Sequence, residues 1–172
     1  MDPLIPNNQP APDFSLPDLK GNPHNLSETR GRVVVLNFWS AECPWAKRAD
    51  EALAGYRKIW REEVGLLSVA SNANEPPELL SRVATERGLP VVLHDADQRV
   101  ADLFGAQTTP HLFVLDPAGI LRYQGTLDDV SFRQREATQA YLKAAVEAVL
   151  ADRTPDPGQT LPYGCSLVRY TP

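Results

Sequence analysis

Val33-Val-Val-Leu-Asn-Phe-Trp-Ser-Ala-Glu-Cys43-Pro-Trp-Ala-Lys47 is the stretch whose reading decides the fold. It opens as a run of β-branched and aromatic residues, the pattern of a buried strand. It then breaks into a short connector that carries Cys43. Pro44 follows, at home in the first turn of a helix because its missing N–H would be unpaired there anyway. Beyond it, Trp45, Ala49, Leu53, Tyr56 and Ile59–Trp60 recur every three to four residues, as on one helix face. A thiol therefore sits where a strand hands over to a helix N-terminus. Unpaired backbone N–H groups and the positive end of the helix dipole stabilise a thiolate there. Such placement can bring a cysteine pKa from about 8.5 to roughly 3.5–7.5.

Outward from this stretch the chain alternates. The pattern predicts a short edge strand near Asp13–Leu16, one helical turn at 26–31, the strand at 33–39 and the Cys43 helix to about Glu62. A buried strand follows at 64–71. Asn74-Glu-Pro76-Pro reads as a helix start with Asn74 as N-cap, and Gly88 as its end. A short strand at 90–93 precedes a helix capped by Asp97 and closed by Gly105. Thr108-Thr109-Pro110 then leads into a strand at 111–115. Asp116-Pro-Ala-Gly119 is a turn to a second strand, Ile120–Gln124. Ser131-Phe-Arg-Gln134 matches a capping box and predicts a long helix to about Asp152 with Phe132 on its buried face. The early β-α-β-α-β order implies parallel strands covered on both faces, and the later hairpin adds antiparallel ones. The expected fold is α/β, a mixed central sheet between helices, over residues 1–152. A Pro- and Gly-rich tail, 153–172, carries Cys165. Sites in such folds form beyond the carboxyl ends of strands, which is where Cys43 lies.

Composition narrows the function classes. The chain has 172 residues, enough for one domain with a real core, and its 42% hydrophobic and 23% charged residues are ordinary for a soluble protein. A formal charge of -5 and the lack of a basic run argue against nucleic acid as a partner. No apolar stretch approaches the roughly 18–20 residues of a membrane span. No signal-peptide pattern stands at the N-terminus, which predicts a cytoplasmic protein, or a periplasmic or exported one if a leader has been removed. The glycines are dispersed, so no nucleotide cofactor is implied, and His24, His94 and His111 lack metal-ligand spacing.

Taken together, Asn37-Phe38-Trp39 ahead of Cys43-Pro44, Thr109-Pro110 before a strand, Ala11-Pro12-Asp13-Phe14-Ser15-Leu16 upstream and the Asp116–Gly119 turn resemble the thioredoxin-like superfamily. The resemblance is to its redoxin branch, the alkyl hydroperoxide reductase/thiol-specific antioxidant family and related thiol–disulfide reductases. It implies a thioredoxin-like fold, a catalytic thiol at Cys43, and a cis Thr109–Pro110 peptide facing it that presents the Thr109 backbone to an extended substrate. Two departures matter. Ala46 stands where reductases carry the second cysteine of Cys-x-x-Cys, so no dithiol cycle can run within the motif. Ser40 fits the hydroxyl position of the peroxiredoxin motif, but Leu36 stands where its proline belongs. Some peroxiredoxin-like proteins pair a lone cysteine with one near the C-terminus, and Gly164-Cys165-Ser166-Leu167 looks like that element.

Each residue has a chemical and a plain reading. Cys43 is a nucleophile toward a peroxide oxygen or a disulfide sulfur, or an inert core cysteine. Neighbouring Glu42 opposes a thiolate and Lys47 offsets it if it points inward. Cys165 is a resolving thiol or an incidental tail residue. Bonding to it requires Cα atoms roughly 4.4–6.8 Å apart, hence a tail folded back over the strand ends. Leu161, Tyr163, Leu167, Val168 and Tyr170 supply apolar anchors. Ser40 is a hydrogen-bond donor to substrate or a helix cap. Trp45 is an apolar wall of the site or core packing, and Arg122 orients peroxide or is a solvated strand residue. The expected activity is a thiol oxidoreductase that reduces peroxides or exchanges disulfides, with thioredoxin or a similar thiol as reductant and no cofactor. The alternative is a non-catalytic binding or client-holding module that has lost the Cys-x-x-Cys pair.

Overall fold

The computed structural model describes residues 3–170. Two short strands, β1 (Ser15–Pro17) and β2 (Pro23–Asn25), pair antiparallel, and a 3-10 turn at Leu26–Thr29 leads into β3 (Val33–Trp39). Then come α1 (Pro44–Trp60), β4 (Val64–Ala70), α2 (Pro77–Glu86), β5 (Val92–His94) and α3 (Arg99–Phe104). The second half holds β6 (Thr108–Thr109), β7 (His111–Leu115), β8 (Leu121–Gly125), α4 (Tyr141–Leu150) and β9 (Cys165–Ser166).

The main sheet has the order β5-β4-β3-β7-β8. β3 is parallel to β4 and antiparallel to β7, so it lies at the centre and every one of its residues is buried. Side chains alternate across a strand, and the two faces of β3 differ accordingly. Val34, Leu36 and Phe38 pack with Phe104, Phe113 and Leu93 on the α3 side. Val33 and Val35 pack with Leu53 of α1 and Leu142 and Val146 of α4 on the other. Trp39, at the strand end, joins Leu80, Val83 and Ala84 of α2. The mixed sheet between helices is the expected one.

The elements depart from the sequence reading in four places. Residues 131–140 are irregular, and α4 starts only at Tyr141. The Ser131 box closes a tight turn instead: Ser131 Oγ accepts the N–H groups of Arg133 and Gln134. The helix cannot begin there because Asp129 gathers the N–H groups of Thr138 and Gln139, and Phe132 is 83% exposed rather than buried. Asn74 is not a cap, since α2 begins after Pro76, at Pro77. Asp97 accepts Arg99 N–H at the start of α3 but is not the N-cap, which is Gln98, and Asp95 satisfies the next two positions by accepting from Val100 and Ala101 N–H. Of the expected tail anchors, Leu167 enters the core beside Phe14 and Phe104, while Leu161 is 82% exposed.

Both chain ends cover the outer strand β8, whose edge would otherwise be open to pairing with other chains. Asn8 donates to the Leu121 carbonyl, and Leu121 N–H donates to Gln9. On the same strand Thr160 N–H donates to Gln124, while Gln124 N–H donates to Gly158. The tail then leaves β8 and crosses the end of the sheet as β9.

Candidate active site around Cys43

Cys43 is the N-cap of α1, with extended backbone (φ -79, ψ 122) and Pro44 as the first helical residue. Its side chain is 4% exposed. The connector from β3 is held from within. Ser40 Oγ accepts the N–H of Cys43 at 3.1 Å and donates its own proton to Glu75 at 2.6 Å. Glu75, itself buried, also accepts Ala41 N–H at 2.5 Å and Asn72 Nδ2–H at 2.7 Å. One carboxylate from the approach to α2 thus holds the connector at two successive residues, the Ser40 hydroxyl and the Ala41 N–H. Ser40 acts here as a brace for the connector, because its hydroxyl proton is already committed to Glu75.

A second buried carboxylate secures the other side. Asp50, on α1, accepts from Trp39 Nε1–H at 2.7 Å and from Arg87 at 2.9 Å. Arg87 spans further to the Ala41 carbonyl at 2.6 Å and lies over the Trp39 ring, 5.6 Å from its centroid. Burial raises the Asp50 pKa above its ordinary value, and the Trp39 and Arg87 bonds oppose that rise.

Cys165 is joined to Cys43 by a disulfide, with Cα atoms 6.2 Å apart and a sequence separation of 122. The strand that carries it pairs antiparallel with β6: Cys165 opposes Thr109 and Ser166 opposes Thr108. Thr109–Pro110 is a cis peptide, as the resemblance implied, and the Thr109 carbonyl oxygen lies 3.0 Å from Cys43 Sγ. In the reduced protein the Cys43 thiol can donate to that oxygen. Trp45 and Tyr163, each two residues from a bridged cysteine, meet edge to face at 4.9 Å.

The site residues expected from sequence therefore separate into two groups. Cys43, Cys165, Ser40, Trp45, Thr109 and Pro110 converge. Arg122 does not. Its side chain bonds Asp116 at 2.8 Å and Asn8 at 2.7 Å. Asp116 follows Leu115, which pairs with Val34 near the start of β3, whereas Cys43 lies beyond the opposite end of that strand. Arg122 thus supports the β7–β8 turn. His111, next to Pro110, is buried, stacks on Phe113 at 4.7 Å, and accepts Gln107 N–H through Nδ1. Desolvation pushes its pKa down to about 4, so it is neutral at pH 7. Glu75, Asp50 and Arg87 are site residues that the sequence reading did not single out, and Tyr163, expected only as a tail anchor, joins the site through Trp45.

The profile of the AhpC/TSA family matches residues 7–124, a span that includes Cys43, Thr109 and Pro110. The chain belongs to the AhpC/TSA family. Among its relatives, the thiol-disulfide oxidoreductase ResA of Geobacillus kaustophilus is 35% identical over 111 residues, 63% of each chain. ResA of Geobacillus thermodenitrificans is 32% identical over 128 residues, 72% of each. The matched stretch thus spans about two thirds of these relatives' length. A crystal structure of a hypothetical protein from Sinorhizobium meliloti 1021 superposes with a TM-score of 0.88 at 30% identity, covering 98% of this chain and 97% of that one. That coverage takes in the tail, which lies outside the family match.

Proposed function

We propose that this AhpC/TSA protein is a thiol–disulfide oxidoreductase, with Cys43 as nucleophile and Cys165 as resolving thiol. The observation that carries the reading is the Cys43–Cys165 bond made by an extended strand lying on Thr108–Thr109. It replaces the intramotif pair that Ala46 rules out. In the reduced protein the N-terminus of the 17-residue helix α1 favours the Cys43 thiolate. The thiolate attacks one sulfur of a substrate disulfide, and the other sulfur leaves as a thiol after taking a proton. The thiolate of Cys165 then attacks Cys43 Sγ and releases the substrate as its second thiol. The substrate gains two electrons and two protons, and an external dithiol of the thioredoxin type returns them to the protein. The named activity of the ResA relatives agrees with this chemistry.

Peroxide reduction is the second reading, favoured by the family match and the serine at position 40. The engagement of Ser40 with Glu75 and of Arg122 with Asp116 weighs against it.

The test is to mix fully reduced protein with one equivalent of oxidised glutathione or of hydrogen peroxide and follow intact mass with time. The proposal expects a glutathione adduct on Cys43 that decays to an intramolecular disulfide, faster than oxidation by peroxide. Rapid oxidation by peroxide with no glutathione adduct would replace it with the peroxidase reading. Inertness to both would leave the non-catalytic module.

A further inference from the structure

We propose, resting on the exchange reading above, that the segment from Tyr163 to Leu167 is an internal template for the client. The client is then a protein disulfide whose attacked cysteine lies in an extended segment of the form aromatic–Gly–Cys–small polar–aliphatic.

Each position of the template has a physical reason. The cysteine and the residue after it pair with the backbone of Thr109 and Thr108. This is strand addition to an exposed edge, which binds any extended peptide and leaves selection to the side chains. Immediately before the cysteine only glycine fits. A Cβ at position 164 would collide with the Thr109 carbonyl oxygen, and its carbonyl carbon would lie 2.7 Å away and Pro110 Cδ 3.1 Å. That carbonyl cannot retreat, because its residue is paired in β6 and fixed by the Pro110 peptide that follows. One position earlier, the Tyr163 ring meets the Trp45 edge, and its hydroxyl accepts Phe132 N–H at 2.7 Å. Two positions after the cysteine, Leu167 fills a core site 8% exposed, and its N–H donates to the Gln107 carbonyl. Phe132, 83% exposed and bonded through its N–H to the tail, stands beside this path as further apolar surface.

Client and tail need the same edge, so they cannot occupy it together. Formation of the Cys43–client bond breaks the client's own S–S bond and leaves β9 undocked. Attack by Cys165 on Cys43 Sγ then breaks the Cys43–client bond, and return of the tail to Thr108–Thr109 removes the reduced client. The tail is thereby both the resolving thiol and the competitor that clears the product.

The test uses the full-length Cys165→Ser variant in its reduced form and a synthetic peptide of residues 161–170, Leu-Pro-Tyr-Gly-Cys-Ser-Leu-Val-Arg-Tyr, activated at its cysteine as the thionitrobenzoate mixed disulfide. Release of thionitrobenzoate and the mass of the adduct report the reaction at Cys43. We expect the parent peptide to react at least about threefold faster than the Tyr163→Ala peptide and at least about tenfold faster than the Gly164→Ala peptide, since an edge-to-face aromatic contact is worth roughly two- to twelvefold and a backbone clash more. An unstructured activated tripeptide should be slower still. Rates equal within twofold across all peptides would overturn the template while leaving disulfide exchange intact. Failure of Cys43 to react with any of them would overturn the exchange reading itself.

Discussion

Glu75 and Ser40 are 35 residues apart in sequence and 2.6 Å apart in space, and through them the loop that ends at Cys43 is tied to the start of α2. The carboxylate receives three donors, from Ser40, Ala41 and Asn72. Replacing it by the amide in Glu75→Gln sets a donor against at least one of them. Bonds to a buried charged acceptor contribute roughly 1.5–3 kcal/mol each. We expect the urea midpoint of the variant to fall by the equivalent of about 2 kcal/mol at unchanged slope, and the alkylation rate of Cys43 in reduced protein to change with it. An unaltered midpoint and rate would show that Glu75 does not brace the connector.

Arg87 is the cation between the buried carboxylate of Asp50 and the carbonyl of Ala41. Removing one partner of a buried ion pair strands the other and costs about 3–5 kcal/mol. Arg87→Ala should be destabilised by this order at pH 7. Burial already raises the Asp50 pKa, so the folded state holds that proton more tightly than the unfolded chain. The charged form therefore costs stability above the unfolded value of 3.8, and the deficit of the variant should shrink as pH falls toward it. Denaturation midpoints from pH 7 to pH 4 measure this. The double variant Arg87→Ala/Asp50→Asn should recover part of the loss at pH 7, and no recovery would refute the assignment.

His111 behaves in the opposite sense. Its folded pKa of about 4 lies below the ordinary 6.5, so between these values the unfolded chain binds the proton that the folded one refuses. Its contribution to stability is present above pH 6.5 and is lost as pH falls toward about 4. The loss is on the order of 3 kcal/mol. Midpoints of the wild type and His111→Gln plotted against pH should converge by this order between pH 7 and pH 4. Parallel curves would contradict it.

Much of this architecture is legible in the sequence because it is local. Val33–Trp39 is apolar at every position but Asn37, and a central strand covered on both faces needs such a run. Cys43-Pro44 marks a helix start by the chemistry of proline alone. Thr109–Pro110 was placed beside the thiol by resemblance, not by its residues. What escaped is what long-range partners decide. Ser131-Phe-Arg-Gln134 satisfies the capping pattern, but Asp129 takes Thr138 and Gln139 and holds the chain out of a helix until Tyr141. Asn74-Glu-Pro76 reads as a cap only while the destination of Glu75 is unknown. Arg122 stays open in the sequence between orienting peroxide and a solvated strand role, because nothing in its neighbourhood announces Asn8, 114 residues away. The tail looked apolar enough to dock as a whole, yet Leu167 alone among its expected anchors reaches the core.

The most direct test of the central claim is a trapping experiment with the two single-cysteine variants. Reduced Cys165→Ser and Cys43→Ser are each treated with oxidised glutathione, quenched with acid at intervals and weighed intact. The account predicts a stable glutathione adduct on Cys43 in Cys165→Ser, formed well before any adduct in Cys43→Ser, and only a fleeting one in the wild type. Faster labelling of Cys165 in Cys43→Ser, or a wild-type adduct that persists without closing to the Cys43–Cys165 bond, would contradict it.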